Sequence, residues 1–366
     1  MKLFHVLAAA TAILTATFAP APEPVHPLAG APKHVVIAPP PAPRELTEAI
    51  RALGEDFDGR AGIAVRDIDS GWTATYNASH LFPQQSVSKL WVALAVYDAI
   101  DRGEMSLDDT ITLHRNDLSV FYQPIRAKVV RARDGYDASV EELLFDAIAK
   151  SDNAANDALT RRVGGRSVVQ YAIDKRHLGG IRGGMEERLL QSKIAGMTWK
   201  SEYTVGWNFQ FARAELPDDY RAAKLDAYLA DPADGATPYA VVDALAALKR
   251  GKLLSASSTN HFLGVMAQTR TGNRRLRAGL KEGWEIAHKT GTGQEHLNRV
   301  TGWNDVGILT SPDGHSYAVA VMIAETTAPV GQRIALFRDA ARAVVDYDAQ
   351  AKAGLRTAQA EVEPAA

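Results

Sequence analysis

Apolar and polar positions alternate in one region near the N-terminal side of the chain. The alternation covers residues 72–76, an apolar run that ends in two charged residues covers 62–67, and Ser70-Gly71 stands between the two runs as a turn sequence. A period of two is typical of strands with one buried face. The pattern therefore predicts a β-hairpin.

Three more strands are predicted near the other end of the chain. They cover residues 284–290, 305–310 and 316–324, and the Pro-Asp-Gly sequence at 312–314 supplies a turn between the last two. Between the two strand regions, residues 88–251 follow a mostly helical period that glycine and proline interrupt.

Two terminal helices complete the pattern, one at 45–53 that stops at Gly54 and one at 332–351. Strands at both ends with helices between them favour one antiparallel sheet built from both chain ends and flanked by helices, plus a central all-helical lobe. The predicted fold class is therefore α/β (α+β) with two subdomains. A cleft between two such lobes is a usual position for an active site.

The first 19 residues have the pattern of an export signal. Lys2 provides a positive charge, residues 3–18 are almost all apolar or small, and Ala19 is a small residue suited to cleavage. The apolar run is short for a membrane span. We therefore expect a signal peptide, with a retained N-terminal anchor as the alternative.

Composition divides the rest of the chain. Nine prolines lie between residues 20 and 43, a density at which no core can pack. The predicted organisation is a signal peptide at 1–19, a Pro/Ala-rich linker at 20–43, a catalytic domain at 44–354 with its helical lobe at about 88–270 and an extended loop at 192–235, and a disordered tail at 355–366.

Charge and cysteine content exclude several classes of protein. The formal net charge is −2, from 41 basic and 43 acidic residues, and no basic stripe predicts binding to nucleic acid. The lack of cysteine excludes disulfides, thiolate zinc sites and cysteine nucleophiles. We expect a periplasmic or secreted protein that is not stably inserted in a membrane once the signal is removed.

The first candidate for chemistry is Ser86, which Lys89 follows three residues later at the start of an apolar helix. Positions i and i+3 share one face of a helix, so the amine lies beside the hydroxyl. A serine hydroxyl needs a base to become a nucleophile, and a lysine with a lowered pKa provides one. Because serine and lysine are common, this spacing alone is a weak signal.

The second candidate is Ser151-Asp152-Asn153, which follows a helical run. Ser151 is suited to relay a proton to a leaving group, and Asn153 is suited to donate to an amide carbonyl. A helix N-cap is the competing interpretation, because Ser, Asp and Asn all cap helices.

The third candidate lies on a predicted strand. Lys289 offers a cation for a carboxylate, Thr290 offers a hydroxyl, and Gly291 leaves room for a substrate at the strand edge. An ordinary strand that ends in a turn has the same pattern, so this motif is also ambiguous alone.

The three motifs together occur in the order, and on the elements, that class A β-lactamases and penicillin-binding proteins use. From Arg44 to Asp346, the sequence resembles the class A β-lactamase family. Further matches are an aromatic-x-Pro segment, a Thr-Pro before a helix and a segment that leads to the Lys-Thr-Gly strand, at residues 121–124, 236–238 and 271–284.

The resemblance implies a role for each matched residue. Ser86 would attack the lactam carbonyl, Lys89 would accept and shuttle its proton, and Ser151 would protonate the departing nitrogen. Backbone N–H groups of Ser86 and Thr292 would form an oxyanion hole. The substrate would be bound by Tyr122, Asn153, Gln191, Lys289, Thr290, Gly291, Thr292 and Arg275, the last of which has a solvated surface position as its alternative.

Deacylation needs a carboxylate that activates water beside the acyl-serine. The family carries Glu-x-x-Leu-Asn after Ser-Asp-Asn, and this chain has Glu-Arg-Leu-Leu-Gln at 187–191. The resemblance thus implies Glu187 as the base, with Gln191 in the place of the usual Asn. Glu186 is the competitor if the register differs by one, and a solvated helix end is the alternative for both.

Residues 192–235 form an insertion relative to the family, and they are rich in aromatic side chains. The alternation across 203–211 predicts a strand or an aromatic flap. We expect the insertion to cover or reshape the cleft and to restrict which substrates fit. A loop packed around its own small core is the alternative.

The predicted function is a β-lactamase that hydrolyses the β-lactam amide through an acyl-serine. A D-alanyl-D-alanine peptidase or an esterase, and a non-catalytic penicillin-binding sensor domain, are the alternatives. Glu187 favours the β-lactamase, whereas Gln191 and the insertion keep the related hydrolases open. We expect a small-molecule β-lactam substrate, a monomer, no cofactor and no metal, since no metal-ligand spacing is present at His177, His261, His288 and His296.

Overall fold

The computed structural model describes the backbone of residues 39–362 and the side chains of residues 39–354. The predicted signal peptide, and the predicted linker up to residue 38, lie outside these residues. Residues 39–43 have no regular secondary structure. The first helix begins at Arg44, where the sequence predicts that the domain begins.

The helices in the described part of the chain are α1 (Arg44–Glu55), α2 (Lys89–Asp101), α3 (Arg126–Arg131), α4 (Val140–Ala149), α5 (Asn153–Arg162), α6 (Arg166–Asp174), α7 (Glu187–Ile194), α8 (Asn208–Ala214), α9 (Asp218–Ala230), α10 (Pro238–Lys249), α11 (Ala256–Ala267) and α12 (Val330–Val362). The strands are β1 (Arg60–Asp67), β2 (Thr73–Tyr76), β3 (Phe82–Pro83), β4 (Thr110–Leu113), β5 (Tyr136–Ser139), β6 (Gly235–Ala236), β7 (Glu285–Gly291), β8 (Glu295–His296), β9 (Arg299–Thr310) and β10 (Ser316–Thr326). None of the helices within residues 39–362 is both long and apolar enough to cross a bilayer.

The central sheet has the strand order β2-β1-β10-β9-β7, and β8 pairs with β9. All of these pairs are antiparallel. The middle of the sheet joins the two ends of the chain, since Ala64 on β1 lies opposite Ala320 on β10. The predicted antiparallel sheet built from both chain ends is therefore confirmed.

Both faces of this sheet are buried, because successive side chains of a strand point to opposite sides. Ile63 and Val65 of β1 pack in one hydrophobic cluster with α1 and α12, which includes Phe337. Ala64, between them, belongs to a second cluster with α2, α4 and α10. A strand buried on both faces is apolar almost throughout rather than alternating, and β10 has this composition.

Helix α2 is the centre of the helical lobe. Every residue from Lys89 to Ala99 is buried, so this helix is enclosed on all sides rather than amphipathic. Helices α4, α5, α6 and α11 pack around it. The start of α2 therefore places Lys89 in surroundings where a charged group needs partners.

The insertion after α7 is helical, so the prediction of a strand across 203–211 is wrong. Phe209 is buried, whereas Trp207 and Phe211 on either side of it are exposed. Residues two apart in a helix point about 200° apart. Over a single turn, α8 thus gives the same alternation of burial that a strand gives.

The insertion is packed around cores of its own, as the alternative interpretation expected. Leu225 and Leu229 of α9 pack against Leu190 and Ile194 of α7. A separate small cluster forms around Phe209 of α8. The helix that carries Glu187 is therefore covered by the insertion.

Two element ends differ from the prediction by more than two residues. Strand β9 begins at Arg299 rather than at 305, because polar residues such as Thr301 interrupt its apolar pattern and are paired inside the sheet. Helix α12 continues to Val362, although the sequence predicts a disordered tail from 355. A glycine such as Gly354 costs a helix only about 1 kcal/mol, and mostly good helix formers follow it.

Replacing Phe337 tests the packing of α12 on the sheet. This side chain is fully buried against the ring of Trp303, with ring centroids 5.8 Å apart. We expect Phe337→Ala to lower the free energy of unfolding by about 3–5 kcal/mol, because it leaves a cavity. Val330→Ala, at an exposed position of the same helix, should change it by less than about 0.5 kcal/mol in the same urea titration. Similar losses in the two variants would contradict this account.

Candidate active site

Ser86 lies in a 3₁₀ turn that leads directly into α2. The preceding residue, Gln85, has a φ of +52°, which is unfavourable for a residue with a Cβ atom. The sheet holds this turn in place, since Asn304 Nδ2 on β9 donates to the carbonyls of Pro83 and Gln84 at 2.8 and 3.0 Å. The backbone next to Ser86 is thereby kept in a conformation that it would not adopt alone.

Lys89 is fully buried and connects three of the candidate residues. Its Nζ lies 2.7 Å from Ser86 Oγ, 2.7 Å from Asn153 Oδ1 and 2.9 Å from Glu187 Oε1. Residues i and i+3 eclipse one another in a 3₁₀ turn. The amine therefore lies beside the Ser86 hydroxyl, as the three-residue spacing predicts.

Ser151 and Asn153 flank the N-cap of α5. Asp152 is the cap, and its carboxylate accepts from the N–H groups of Ala155 and Ile125 at 2.9 and 2.7 Å. The capping interpretation thus applies to Asp152. Ser151, with a φ of +62°, and Asn153 both reach the cleft.

Lys289 on β7 stands behind Ser151. Its Nζ donates to Ser151 Oγ at 2.8 Å and to the carbonyl of Thr290 at 2.9 Å. Burial, and next the charge of Lys89, lower the pKa of Lys289 well below its usual value. An ammonium that releases its proton readily favours proton transfer through the hydroxyl that it contacts.

Arg275 is buried, so the alternative of a solvated surface arginine is wrong. Its guanidinium donates to the carbonyls of Gly291 and Asn304 at 3.0 and 2.6 Å and to Thr292 Oγ1 at 2.8 Å. The guanidinium also lies 4.3 Å from the centre of the Trp303 ring. Burial lowers the pKa of Arg275 to about 10. Arg275 thus fixes the end of β7 and orients the Thr292 hydroxyl.

Gly291 makes room for the turn that holds Ser86. A Cβ atom at this position would collide with the carbonyl of Gln84 and approach Asn304 Nδ2 to 3.1 Å. The sequence predicts that the missing side chain serves the approach of a substrate. The space that it leaves is instead occupied by the chain next to the nucleophile.

Glu187 is a buried carboxylate at the first position of α7. Its N–H donates to Asp157 at 2.5 Å, which fixes the start of this helix. Burial, and next the Glu187 carboxylate, raise the pKa of Asp157 to about 7. Glu187 Oε1 lies near Lys89 but outside hydrogen-bond geometry, and it has no hydrogen-bond partner among the described residues. The carboxylate is therefore paired with the Lys89 ammonium, and its residue forms part of the cleft wall.

Glu186 is engaged elsewhere. Arg161 and Arg188 bind its carboxylate at 2.7 and 2.8 Å. Of the two registers that the sequence leaves open, the geometry therefore favours Glu187 for a role in the cleft.

A chain of hydrogen bonds links Glu187 to the insertion. Gln191 Nε2 donates to Glu187 Oε2 at 3.2 Å and to Gln85 Oε1 at 2.9 Å. Gln85 Nε2 donates to Tyr228 Oη at 2.6 Å, and Tyr228 donates to Asp234 at 2.9 Å. Gln191 is thus long enough to join the carboxylate to the residue before the nucleophile.

Asp234 ends this chain without a cation. Its carboxylate accepts from the N–H of Gln85 at 2.7 Å and from Tyr228, and it forms no ion pair with the residues whose side chains are described. Burial raises its pKa to about 6. Hydrogen bonds to neutral groups, rather than an ion pair, therefore join the C-terminal end of the insertion to the residue before Ser86.

These side chains surround one cleft with a volume of about 470 Å³. Lys89, Lys289 and Gly291 lie behind its lining. The predicted residues that line it are Ser86, Tyr122, Ser151, Asn153, Glu187, Gln191, Arg275, Thr290 and Thr292.

Arg213 and Gln294, which also line the cleft, and Tyr228, which is hydrogen-bonded to Gln85, are not predicted from the sequence. Arg213 on α8 donates to Gln294 Oε1 at 2.7 Å. The only sequence signal for Arg213 is its place in the aromatic insertion. Which face of α8 meets the cleft depends on how the helix docks, and a local pattern does not contain that information.

The sequence matches a known family over most of its length. The model of the beta-lactamase enzyme family matches residues 45–347. Beta-lactamase VEB-1 of Pseudomonas aeruginosa is 26% identical over 292 residues, which are 79% of this chain and 86% of the relative. The carbapenem-hydrolyzing beta-lactamase KPC of Klebsiella oxytoca is 28% identical over 247 residues, 68% of this chain and 71% of the relative.

Solved structures show the same fold. A beta-lactamase from Chitinophaga pinensis DSM 2588 superposes with a TM-score of 0.68 at 28% identity, over 83% of this chain and 99% of that one. The TLA-3 extended-spectrum beta-lactamase superposes with a TM-score of 0.68 at 26% identity, over 82% and 98% of the two chains.

Removing one hydroxyl tests the hydrogen-bond chain behind the cleft. Tyr228→Phe keeps the ring in its hydrophobic cluster and deprives the Gln85 amide and the Asp234 carboxylate of a partner. We expect the free energy of unfolding to fall by about 1–3 kcal/mol, because both groups stay buried. Chemical denaturation followed by fluorescence measures the change.

The matched control is Tyr220→Phe on the same helix. The Tyr220 side chain is exposed, and its hydroxyl donates to the carbonyl of Gly196 at 2.9 Å. Its loss should cost less than about 0.5 kcal/mol. Equal losses in the two variants would mean that the hydroxyl of Tyr228 has no special place in the structure.

Proposed function

The chain belongs to the beta-lactamase enzyme family, and we propose that it hydrolyses the amide of β-lactams through an acyl-serine intermediate on Ser86. The observation that carries the proposal is that Lys89 Nζ lies 2.7 Å from Ser86 Oγ and 2.9 Å from Glu187 Oε1. One site thus combines a nucleophile, an amine beside it and a carboxylate for water activation. Complete turnover requires all three.

Acylation begins when Ser86 Oγ attacks the carbonyl carbon of the lactam. The proton of the hydroxyl passes to Lys89, which acts as a base in its neutral form. The carbonyl oxygen becomes an oxyanion, and the backbone N–H groups of Ser86 and Thr292 bind it. Donors fixed in this way stabilise the transition state without a cost of reorganisation.

The intermediate then collapses, and the bond between the carbonyl carbon and the lactam nitrogen breaks. Ser151 gives its proton to the departing nitrogen, and Lys289 gives one to Ser151. The contact of 2.8 Å between Lys289 and Ser151 supports this relay. So does the lowered pKa of Lys289, since it makes that ammonium a better proton donor.

Substrate binding uses two parts of the cleft. Thr290 and Thr292, with the charges of Lys289 and Arg275 behind them, bind the carboxylate of the substrate. Asn153 binds the amide of the acyl side chain, and the exposed ring of Tyr122 forms a wall beside it.

Deacylation uses Glu187. Its Oε1 takes a proton from a water, whose oxygen bonds to the acyl carbon. The bond between that carbon and Ser86 Oγ then breaks, and Lys89 returns to Ser86 the proton that it took during acylation. Glu187 releases its proton to solvent in the cleft, and Lys289 regains one through Ser151, which restores the enzyme. Gln191 holds the other carboxylate oxygen at 3.2 Å. The position of this residue in the cleft wall, with Oε1 at 2.9 Å from Lys89 Nζ, supports this role.

The two alternative functions, a related serine hydrolase and a penicillin-binding sensor domain, are not supported by the position of Glu187. Both would leave the acyl-serine without an efficient water-activating group, whereas Glu187 is buried next to the nucleophile. The replacement of Asn by Gln191 does not weaken the argument, since the longer amide reaches the carboxylate.

Two substitutions separate acylation from deacylation. We expect Glu187→Gln to accumulate the acyl-enzyme and to lower kcat for a chromogenic cephalosporin by about 10²–10⁴-fold, because the general base is lost and Lys89 remains to accept the proton of Ser86. Ser86→Ala should form no adduct. Stopped-flow absorbance gives the turnover, and intact mass gives the adduct.

Glu186→Gln is the matched control, since it makes the same change one residue away, where Arg161 and Arg188 hold the carboxylate. Its turnover should stay within about threefold of the unmodified protein. Normal turnover by Glu187→Gln would refute the assignment of the base. A stable adduct on the unmodified protein would favour the peptidase or the sensor.

We also propose that the protein is exported to the periplasm or secreted, with a signal cleaved near Ala19, and that it acts as a monomer. The apolar run at 3–18 supports export. The residues assigned above line one cleft within a single chain, so the proposed chemistry needs no second subunit.

Fractionation of an expressing Gram-negative host tests the export. We expect the periplasmic protein to lack the first residues, because a signal peptidase removes them. The N-terminal mass measures this directly. An intact N-terminus in the membrane fraction would instead support a retained anchor.

A further inference from the structure

Arg213 reaches the cleft from the insertion. It lies near the end of α8, it is half-buried, and it is one of the residues that line the same cavity as Ser86. One guanidinium N–H donates to Gln294 Oε1 at 2.7 Å, and the group lies 5.8 Å from the centre of the Phe121 ring. These two contacts hold the charge at the cleft wall.

The guanidinium has no carboxylate within ion-pair distance among residues 39–354. Its neighbour Arg221 lies 3.6 Å from Asp218, and Glu295 in the same cleft lies 3.8 Å from Arg333. A guanidinium has five N–H donors in a fork that matches a carboxylate. With a neutral amide as its hydrogen-bond partner, Arg213 keeps donors available for a ligand.

Burial, and next the charge of Arg221, lower the pKa of Arg213. The shift reports that the charged form is short of solvent and of counter-ions. An anion placed beside this group would therefore be attracted more strongly than beside a fully solvated arginine.

Arg213 and Lys289 serve different parts of the cleft. Lys289 contacts Ser151 and Thr290, which belong to the proposed site for the ring carboxylate. Arg213 contacts Gln294, and Gln294 in turn donates to Gln191 at 3.0 Å. The guanidinium also lies over the ring of Phe121, the residue before Tyr122, and Tyr122 is the wall proposed beside the acyl side chain. Arg213 thus lies on the side of the cleft proposed for the acyl side chain.

We propose that Arg213 binds an anionic group on the acyl side chain and thereby makes side-chain carboxylated β-lactams preferred substrates. The proposal rests on the function proposed above and names a substrate class for it. A substrate of this class carries two carboxylates, one for the Lys289 side and one for the Arg213 side.

The test compares two penicillins that differ by one group. Carbenicillin is benzylpenicillin with a carboxylate on the side-chain α-carbon, so the ratio of their kcat/KM values isolates that group. We expect Arg213→Gln to lower the ratio, carbenicillin over benzylpenicillin, by about tenfold, the size expected for a charge-assisted hydrogen bond. Arg213→Lys should recover part of the ratio, since it keeps the charge and loses the fork.

Arg221→Gln is the matched control, because it removes a neighbouring positive charge that does not line the cleft. It should leave the ratio within about twofold of the unmodified protein. Salt screens the attraction between the guanidinium and the side-chain carboxylate. Raising the salt concentration should therefore bring the carbenicillin-to-benzylpenicillin ratio of the unmodified protein closer to the ratio of Arg213→Gln.

An unchanged ratio in Arg213→Gln, with benzylpenicillin still hydrolysed, would overturn this proposal and leave the proposed function intact. An equal drop in Arg221→Gln would also overturn it, because the effect would then be one of general charge. If the unmodified protein neither hydrolyses nor is acylated by either penicillin, the proposed function fails, and this proposal fails with it.

Discussion

The active site depends on satisfying one ammonium that is shielded from water at the start of a buried helix. Lys89 begins α2, and an unpaired charge at such a position costs several kcal/mol. Ser86 and Asn153 supply oxygens that accept hydrogen bonds from the ammonium, and Glu187 supplies a carboxylate oxygen 2.9 Å away as its counter-charge. These oxygens come from a turn, from α5 and from α7. The need to satisfy a single nitrogen therefore brings three distant segments of the chain together.

The cleft contains two serine–lysine pairs with the same arrangement. Ser86 stands in front of Lys89, and Ser151 stands in front of Lys289. In both, the hydroxyl meets the cleft and the amine lies behind it. A hydroxyl both donates and accepts, so it passes protons between a substrate and an amine that bulk water does not reach. The positive charges of the two lysines thus influence the substrate through the serine hydroxyls, although neither lysine is exposed to solvent.

The sequence was informative where chemistry or turns restrict the residue type. The Ser-x-x-Lys spacing, and Thr237 as the N-cap of α10, are local features that need no tertiary context. A strand was predicted in the insertion because Phe209 and its neighbours alternate in burial on the short helix α8 as they would on a strand. Arg213 and Tyr228 were missed for another reason, since their partners lie about 80 and 140 residues away. Only the docked helices reveal such pairs.

The contact of Tyr228 with Gln85 limits which segments of this protein can be replaced by those of a relative. The insertion and the turn that carries Ser86 are far apart in the sequence. Two groups of the insertion, the Tyr228 hydroxyl and the Asp234 carboxylate, nevertheless form hydrogen bonds with Gln85, the residue that precedes Ser86. A chimera that takes residues 192–235 from a relative must also take a compatible residue 85. The same contacts act on any substitution at these positions, so a change in one segment calls for a compatible change in the other.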